Sequence, residues 1–280
     1  DINVGAREIG YLYGEYRRLN NRFEGVLTGK GLEFGGSYVR TEATGFGLIY
    51  FLEAVCKHQD TYIDGKTIAV SGAGNVALHA ALKATEKGGK VVTLSNSRGL
   101  LHNEKGLNDT AIKWAIENHA SRNNILKDMA ENDIGTWVDN KKPWHIACDV
   151  ALPCATQNEL TEDDARALLD NGCSMVLEGA NMPCTNKAQA LFIEEKITYV
   201  PGKASNAGGV ALSGLEMGQN AMFNQREADV LDEQLYSIMT SIHERCVSEG
   251  KAEGDFINYM KGANIAAFRR LADAMVAQGV

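Results

Sequence analysis

The segment Thr67-Ile68-Ala69-Val70-Ser71-Gly72-Ala73-Gly74-Asn75-Val76-Ala77 carries the strongest indication of the fold. Its first five residues are a short β-branched apolar run, which predicts a buried strand. A GxGxxA loop follows and opens a helix over 75–87, which two glycines then end. Gly72 permits a tight turn, Gly74 lets the backbone approach a pyrophosphate, and Ala77 allows close helix–strand packing. Strand, glycine loop and helix in this order predict a site for a nicotinamide dinucleotide.

Strands alternate with helices on both sides of this stretch. Further strands are predicted at 90–94, 146–152, 175–177 and 197–200. Helices are predicted over 42–58, over 108–131 in two pieces, from Thr161 as an N-cap with Asp164 at N3, and over 185–196. This alternation implies a sheet covered on both faces. The fold class is therefore α/β, a Rossmann-like doubly wound mostly parallel sheet with flanking and C-terminal helices.

The last third of the sequence is helical. One amphipathic face is predicted from Leu231, Leu235, Ile238, Ile242 and Cys246, and a second from Ile265, Phe268, Leu271, Ala272 and Met275. We expect three units: 1–38 as the remnant of a substrate domain and its linker, 39–210 as the dinucleotide-binding domain, and 211–280 as C-terminal helices packing back toward the substrate domain.

Composition excludes several classes of protein. The net charge of −8 with no basic stretch argues against a nucleic-acid partner. No apolar run is long enough for a membrane span and no signal peptide opens the chain, so no membrane partner and a cytoplasmic protein are expected. The six cysteines form no CxxC pair, which favours buried reduced thiols. His145, Cys148 and Cys154 fit no zinc spacing, so no metal is predicted.

The end of the second strand bears on the choice of cofactor. NAD enzymes usually place Asp or Glu there to bind the ribose 2′-hydroxyl. The segment Leu94-Ser95-Asn96-Ser97-Arg98 has no acid but offers hydroxyls, an amide and a guanidinium, which suit a 2′-phosphate. NADP is therefore preferred, with NAD left possible. The alternative is a solvated loop in which Arg98 faces water.

Several segments resemble the hexameric glutamate dehydrogenase family over nearly the whole chain. They are 1–11, 27–30 (Leu-Thr-Gly-Lys), 40–45 (Arg-Thr-Glu-Ala-Thr-Gly), 71–77, 151–160, 178–183 (Glu-Gly-Ala-Asn-Met-Pro), 206–210 (Asn-Ala-Gly-Gly-Val) and 262–266. The resemblance implies reversible oxidative deamination of L-glutamate to 2-oxoglutarate and ammonia, with hydride passing between substrate Cα and nicotinamide C4. It also implies a homo-oligomer, a hexamer in that family.

The same resemblance implies roles for individual residues. Asp1 matches the family's catalytic carboxylate, which shuttles a proton to and from the amine. Val210 and Ser213 match the contacts to the substrate side chain. The residues expected to bind cofactor are Arg40, Thr44, Gly72, Gly74, Asn75, Val76, Ser95, Asn96, Ser97, Arg98, Ala155, Thr156, Asn158, Asn181 and Asn206.

One departure from the family pattern is large. The GGGKGG-type segment of the family's substrate domain, with the lysines that hold the α-carboxylate and activate water, does not occur in these 280 residues. Lys30 does not match those lysines. Because the sequence starts at Asp1 without Met, we expect a fragment, a processed form or a partly given protein. A complete chain would bind cofactor with almost no turnover, as a non-catalytic dinucleotide-binding module.

Overall fold

The fold is organised by one sheet, which the computed structural model describes together with the rest of residues 4–119, 123–251 and 254–280. Its seven strands within these ranges are β1 Thr67–Val70, β2 Lys90–Asn96, β3 Gly99–His102, β4 Thr136–Asp139, β5 Val150–Leu152, β6 Met175–Leu177 and β7 Thr198–Val200. Their order across the sheet is β4-β3-β2-β1-β5-β6-β7.

The sheet is mostly parallel, as the sequence predicted. β1 pairs in parallel with β2 on one side and with β5 on the other, and β6 and β7 continue in parallel. β3 pairs antiparallel with β2, and β4 antiparallel with β3, so they form a meander at one edge. The three-residue strands β5 and β6 are buried along their whole length, as expected where helices cover both faces.

Eleven α-helices lie in the described residues. They are α1 Ala6–Asn20, α2 Ala43–His58, α3 Asn75–Glu86, α4 Asp109–Asn118, α5 Ile125–Glu131, α6 Glu162–Asp170, α7 Asn186–Glu194, α8 Gly202–Ser205, α9 Gly208–Met222, α10 Ala228–Gly250 and α11 Tyr259–Gln278. Short 3-10 helices occur at Leu32–Phe34 and Pro143–His145. The predicted capping box starts α6, because Thr161 and Asp164 bond each other's backbone N–H.

Two hydrophobic clusters cover the two faces of the sheet. Ile68 and Val70 of β1 belong to the larger cluster, which α2, α3 and α10 complete. Ala69, between them, points the other way into a smaller cluster with Trp144 and Phe192. Successive side chains of a strand point to opposite faces, so β1 is buried from both sides. This burial fixes the position of the loop that follows β1.

Several details differ from the sequence prediction. The third predicted strand, 146–152, is a strand only over its last three residues. The buried face of α10 includes Met239 and His243, whereas Ile238 and Ile242 are only half-buried. The apolar positions Phe268, Leu271 and Met275 of α11 are exposed in this chain.

Three further features of the described residues are the burial of the cysteines, the grouping of possible metal ligands and the apolar character of the helices. All six cysteines are buried, as predicted. Among the described residues, no three His, Cys, Asp or Glu side chains come together in a way that could hold a metal ion. No helix in those residues has the length and apolar character needed to cross a membrane.

Candidate dinucleotide and substrate site

The loop between β1 and α3 lies at the point where the strand order of the sheet reverses. From β1 the chain moves to β2 on one side, and β5 then joins β1 on the other side. In an open α/β sheet, ligands bind in the crevice outside the carboxyl ends of strands at such a switch point. The glycine loop and the segment after β5 form the walls of this crevice.

Gly72 makes the turn that the sequence predicted. Its φ is +92°, in the left-handed region, and an added Cβ would lie 2.9 Å from the carbonyl oxygen of Cys154. The loop is tied to β2, because Gly72 N–H donates to Ser95 Oγ at 3.2 Å and Ser95 N–H donates back to the Gly72 carbonyl at 3.2 Å. Ser95 is therefore buried beneath the loop.

The N-terminus of α3 is open toward the crevice. Gly74 is its N-cap and carries no capping side chain, and an added Cβ at Gly74 would meet no atom within 4 Å. Val76 follows in the first turn and is half-buried, while the Asn75 amide donates to the Thr41 carbonyl oxygen. Uncapped N–H groups and the positive end of the helix dipole attract an anion. These residues fit a dinucleotide pyrophosphate.

The segment after β5 forms the opposite wall. Ser71 Oγ accepts from Cys154 N–H at 2.9 Å and donates to Glu159 Oε1 at 2.7 Å, and Ala155 N–H donates to the same oxygen at 3.0 Å. Thr156 and Asn158 are exposed beside them, with Asn158 at φ +57°. The predicted residues Ala155, Thr156 and Asn158 thus line the crevice beside the glycine loop.

Two predicted asparagines meet at the end of β6. Asn206 Nδ2 donates to Asn181 Oδ1 at 2.9 Å. Beneath them, Glu178 is buried and its carboxylate accepts from Gly202 N–H at 2.7 Å and from Tyr199 OH at 2.8 Å. Glu178 thereby links the loop after β6 to α8, which carries the chain to Asn206.

The predicted 2′-phosphate segment is a tight turn between β2 and β3. Asn96 ends β2, its amide donates to Asn124 Oδ1 at 2.8 Å, and its side-chain oxygen accepts from Arg98 N–H at 2.9 Å. The Arg98 guanidinium donates to Asn123 Oδ1 at 2.9 Å. Ser97 and Arg98 are exposed. This segment presents donors and no carboxylate at the end of β2.

A second polar corner joins residues 26–40 to α9. Ser213 Oγ accepts from Thr28 Oγ1 at 2.9 Å and from Arg40 Nε at 3.0 Å. A hydroxyl oxygen has two acceptor positions, so both are occupied and the Ser213 proton is left to donate elsewhere. Burial lowers the pKa of Arg40, and the nearby Glu216 carboxylate partly offsets this.

Beneath this corner lies a buried ion pair. Lys30 Nζ is 2.7 Å from Glu216 Oε1, and both side chains are fully buried. The Glu216 carboxylate also accepts from Gly29 N–H at 2.8 Å and from Lys30 N–H at 3.3 Å. Glu216 is one helical turn after Ser213, so the pair fixes Thr28 against Ser213. Lys30 is thus engaged in internal contacts.

The remaining predicted site residues are Thr44, Val210 and Asp1, and they differ in their surroundings. Thr44 lies at the start of α2 with its hydroxyl against Gly209, and the Arg40 guanidinium lies 3.8 Å from where a Gly209 Cβ would be. Val210 is 72% exposed on α9, in the turn before Ser213. Asp1 lies outside the described residues.

Sequence reasoning missed the supporting residues Thr28, Glu159, Glu178 and Glu216. Thr28 lies in a segment that carried the resemblance, and Glu159 and Glu178 lie in two others, but their partners are distant in the sequence. Glu216 had one available signal, since it follows Ser213 by three residues and so shares its helix face. None of these contacts could be identified without the fold.

Comparison with known proteins places the chain among dehydrogenases. Residues 35–279 match the model of the Glutamate/Leucine/Phenylalanine/Valine dehydrogenase family. The chain is 52% identical to the NAD-specific glutamate dehydrogenase of Bacteroides fragilis, covering all of this chain and 63% of that protein. It is 49% identical to the NADP-specific glutamate dehydrogenase of Salmonella typhimurium, covering all of this chain and 62% of that protein.

A solved structure agrees with the sequence matches. The crystal structure of Plasmodium falciparum glutamate dehydrogenase superimposes with a TM-score of 0.96 at 42% identity, covering all of this chain and 60% of that one. The chain therefore spans a little under two thirds of the length of each of these relatives.

Proposed function

This chain belongs to the Glutamate/Leucine/Phenylalanine/Valine dehydrogenase family, and on that premise we propose that it is the cofactor-binding part of an NADP-linked glutamate dehydrogenase. The observation that carries the proposal is the open N-terminus of α3 behind Gly72 and Gly74, set at the switch point of the sheet. That arrangement suits the pyrophosphate of a dinucleotide. The choice of glutamate as the proposed substrate is supported by relatives that are named glutamate dehydrogenases.

The corner around Ser213 supports glutamate as the substrate. Because Thr28 and Arg40 occupy both acceptor positions of the Ser213 hydroxyl, its remaining proton can be donated to a carboxylate. The exposed Val210 side chain, in the preceding turn of α9, can pack against the methylenes of a glutamate side chain. A γ-carboxylate recognised by Ser213 distinguishes glutamate from leucine, phenylalanine or valine.

A bound nicotinamide cofactor would supply the hydride chemistry of the reaction in either direction. Arg40, Thr44, Asn181 and Asn206 would orient the nicotinamide end of the cofactor, and the glycine loop would hold the pyrophosphate. Asp1 is proposed to carry the proton to and from the substrate amine. Residues 1–38, 39–210 and 211–280 are proposed as substrate-domain remnant, dinucleotide domain and C-terminal helices.

Assembly and preferred cofactor belong to the same proposal. We expect a homo-oligomer, a hexamer by analogy with the family. NADP is preferred because the turn after β2 carries Asn96, Ser97 and Arg98 without a carboxylate. NAD is the alternative because several relatives, including that of Bacteroides fragilis, are named NAD-specific. The donors of this turn match a 2′-phosphate better than a 2′-hydroxyl.

Steady-state kinetics of the full-length protein containing this chain test the function. Reductive amination of 2-oxoglutarate with NADPH is expected, and 2-oxo acids with apolar side chains should react far more slowly. If the protein binds the dinucleotide but does not aminate 2-oxoglutarate, the proposal that it is an enzyme is wrong, and a non-catalytic dinucleotide-binding module is the remaining interpretation.

The cofactor preference is tested by the variant Arg98→Ala. Loss of a charge-assisted contact should weaken NADPH binding by about tenfold, which is about 1.4 kcal/mol. NADH affinity should change by less than about twofold, since no phosphate faces Arg98 in that complex. Arg18→Ala, a remote exposed arginine paired with Glu15, serves as control. Equal weakening of both cofactors would exclude Arg98 from the 2′-phosphate site.

A further inference from the structure

Glu159 joins the two walls of the dinucleotide crevice. Its Oε1 accepts from the Ser71 hydroxyl at 2.7 Å and from Ala155 N–H at 3.0 Å. Ser71 directly precedes Gly72 and is fully buried, and Ala155 lies in the segment after β5. One carboxyl group therefore holds both walls, from within the fold and next to the loop that would receive the pyrophosphate.

The groups that face Glu159 leave its negative charge poorly compensated. Lys142 is the cation that acts on it, but the Lys142 ammonium bonds the Glu159 backbone carbonyl at 2.7 Å and the Asp164 carboxylate at 2.8 Å. Cys154 and Cys184 are two further titratable neighbours. Burial and then Glu159 raise the pKa of the Cys154 thiol, and burial and then Glu178, with a smaller effect of Glu159, raise the pKa of the Cys184 thiol, so both thiols are kept neutral. Burial raises the pKa of Glu159 itself, against the opposing effect of Ser71.

We propose that Glu159 is the positioning residue of the dinucleotide crevice and that it takes up a proton when the dinucleotide binds. This inference rests on the proposed function, since it concerns the same site. A bound pyrophosphate would bring two negative charges to the loop that the half-buried Glu159 carboxylate contacts through Ser71. Like charges in a poorly solvated site disfavour the ionised form. A protonated Glu159 still accepts through one oxygen, so the two walls remain connected.

The direction of the pH effect follows from linkage. If binding raises the pKa of Glu159, the complex holds more protons than the free protein, so affinity increases as pH falls. The increase is confined to the range between the pKa of the free protein and that of the complex. A change of one pKa unit on binding corresponds to about a tenfold change in affinity across that range.

Isothermal titration calorimetry of the wild-type protein and of Glu159→Gln with NADP⁺ tests the proposal. Titrations between pH 5.5 and pH 8, in buffers with different ionisation enthalpies, give the number of protons taken up per dinucleotide. We expect net uptake in the range between the pKa of the free protein and that of the complex, with affinity rising by about tenfold as the pH falls through that range if the pKa rises by about one unit. Binding with no difference in proton uptake between the wild-type protein and Glu159→Gln would overturn the proposal.

The variant Glu159→Gln assigns the proton to this residue. Gln keeps an oxygen to accept from Ser71 and Ala155 but cannot titrate, so the uptake attributed to Glu159 should disappear. Titration of the NADP⁺ 2′-phosphate and of His79 on α3 contributes equally to both proteins and cancels in the comparison. Glu162→Gln, an exposed carboxylate three residues away that pairs with Arg166, should behave like the wild-type protein.

The variant Ser71→Ala separates positioning from titration. It removes the hydroxyl that joins the β1 loop to Glu159 and leaves the carboxyl group in place. NADP⁺ affinity should fall by about three- to tenfold, because the bonds of this hydroxyl to Glu159 and to Cys154 N–H are both lost, while proton uptake persists. Unchanged affinity would refute the positioning role. Failure of the wild-type protein to bind any dinucleotide would instead refute the proposed function.

Discussion

The glycine loop between β1 and α3 and the corner between residues 26–40 and α9 face the same proposed reaction, yet they are built differently. The loop offers backbone N–H groups from an uncapped helix, with the close approach at Gly72 setting its shape. The corner offers the side chains of Arg40 and Ser213, held by a fully buried ion pair.

The difference follows from what each region would bind. A pyrophosphate is common to every dinucleotide, so backbone donors and a helix dipole are sufficient for it. A substrate side chain must be told apart from similar ones, which requires a hydroxyl or a charge at a defined position. Stability and substrate binding at the corner should therefore be sensitive to the loss of side-chain groups. The loop should be sensitive to the addition of a Cβ.

The largest effect is expected from Lys30→Met. It leaves Glu216 as a buried carboxylate without its cation, which typically costs about 3–5 kcal/mol of stability. The double variant Lys30→Met, Glu216→Gln should recover most of this loss, because Gln carries no charge and its single side-chain oxygen can still accept from the Gly29 N–H. Urea denaturation of the three proteins measures both changes.

An exposed ion pair provides the control for that experiment. Arg18→Met breaks the pair between Arg18 and Glu15 on α1 and should leave the stability nearly unchanged, because solvent screens both charges. If Lys30→Met cost no more than Arg18→Met, the corner would not depend on its buried charges, and the contrast with the loop would fail.

The next effect separates the two glycines of the loop. Gly72→Ala forces a side chain into a left-handed conformation and against the Cys154 carbonyl, so it should cost about 2–3 kcal/mol of stability. Gly74→Ala places its Cβ in open space, so its cost should be below about 1 kcal/mol. Both should weaken NADP⁺ binding by about tenfold or more, the second because Cβ stands where the pyrophosphate approaches.

Thermal unfolding together with NADP⁺ titration checks this pair of variants. A stable Gly74→Ala protein with normal affinity would mean that the pyrophosphate does not approach Gly74. A Gly72→Ala protein as stable as the wild type would mean that the backbone around Cys154 adapts freely. Either result would weaken the description of the loop as a site set by backbone geometry.

The same contrast explains how much the sequence alone could predict. The loop is continuous in sequence, so residues 67–77 predicted its strand, its turn and its helix. The corner depends on contacts between Lys30 and Glu216, which are 186 residues apart, and no local pattern reports such a pair. The edge strand β4 was missed for another reason: its side chains are mostly exposed, so it lacks the apolar run that identified β1.

The smallest expected effect concerns one hydrogen bond at the corner. Thr28→Val keeps the shape of the side chain but removes the donor to Ser213 Oγ, so the Ser213 proton is no longer restricted to an outward direction. The KM for glutamate in the full-length protein should rise by about fivefold, as expected for a loss of about 1 kcal/mol. The affinity for NADP⁺ should not change, because the loop is built without Thr28. Thr85→Val is the matched control, since the Thr85 hydroxyl donates to the Ala81 carbonyl within α3, away from the corner. A change in NADP⁺ affinity with Thr28→Val, at constant KM for glutamate, would show that corner and loop form one cofactor site.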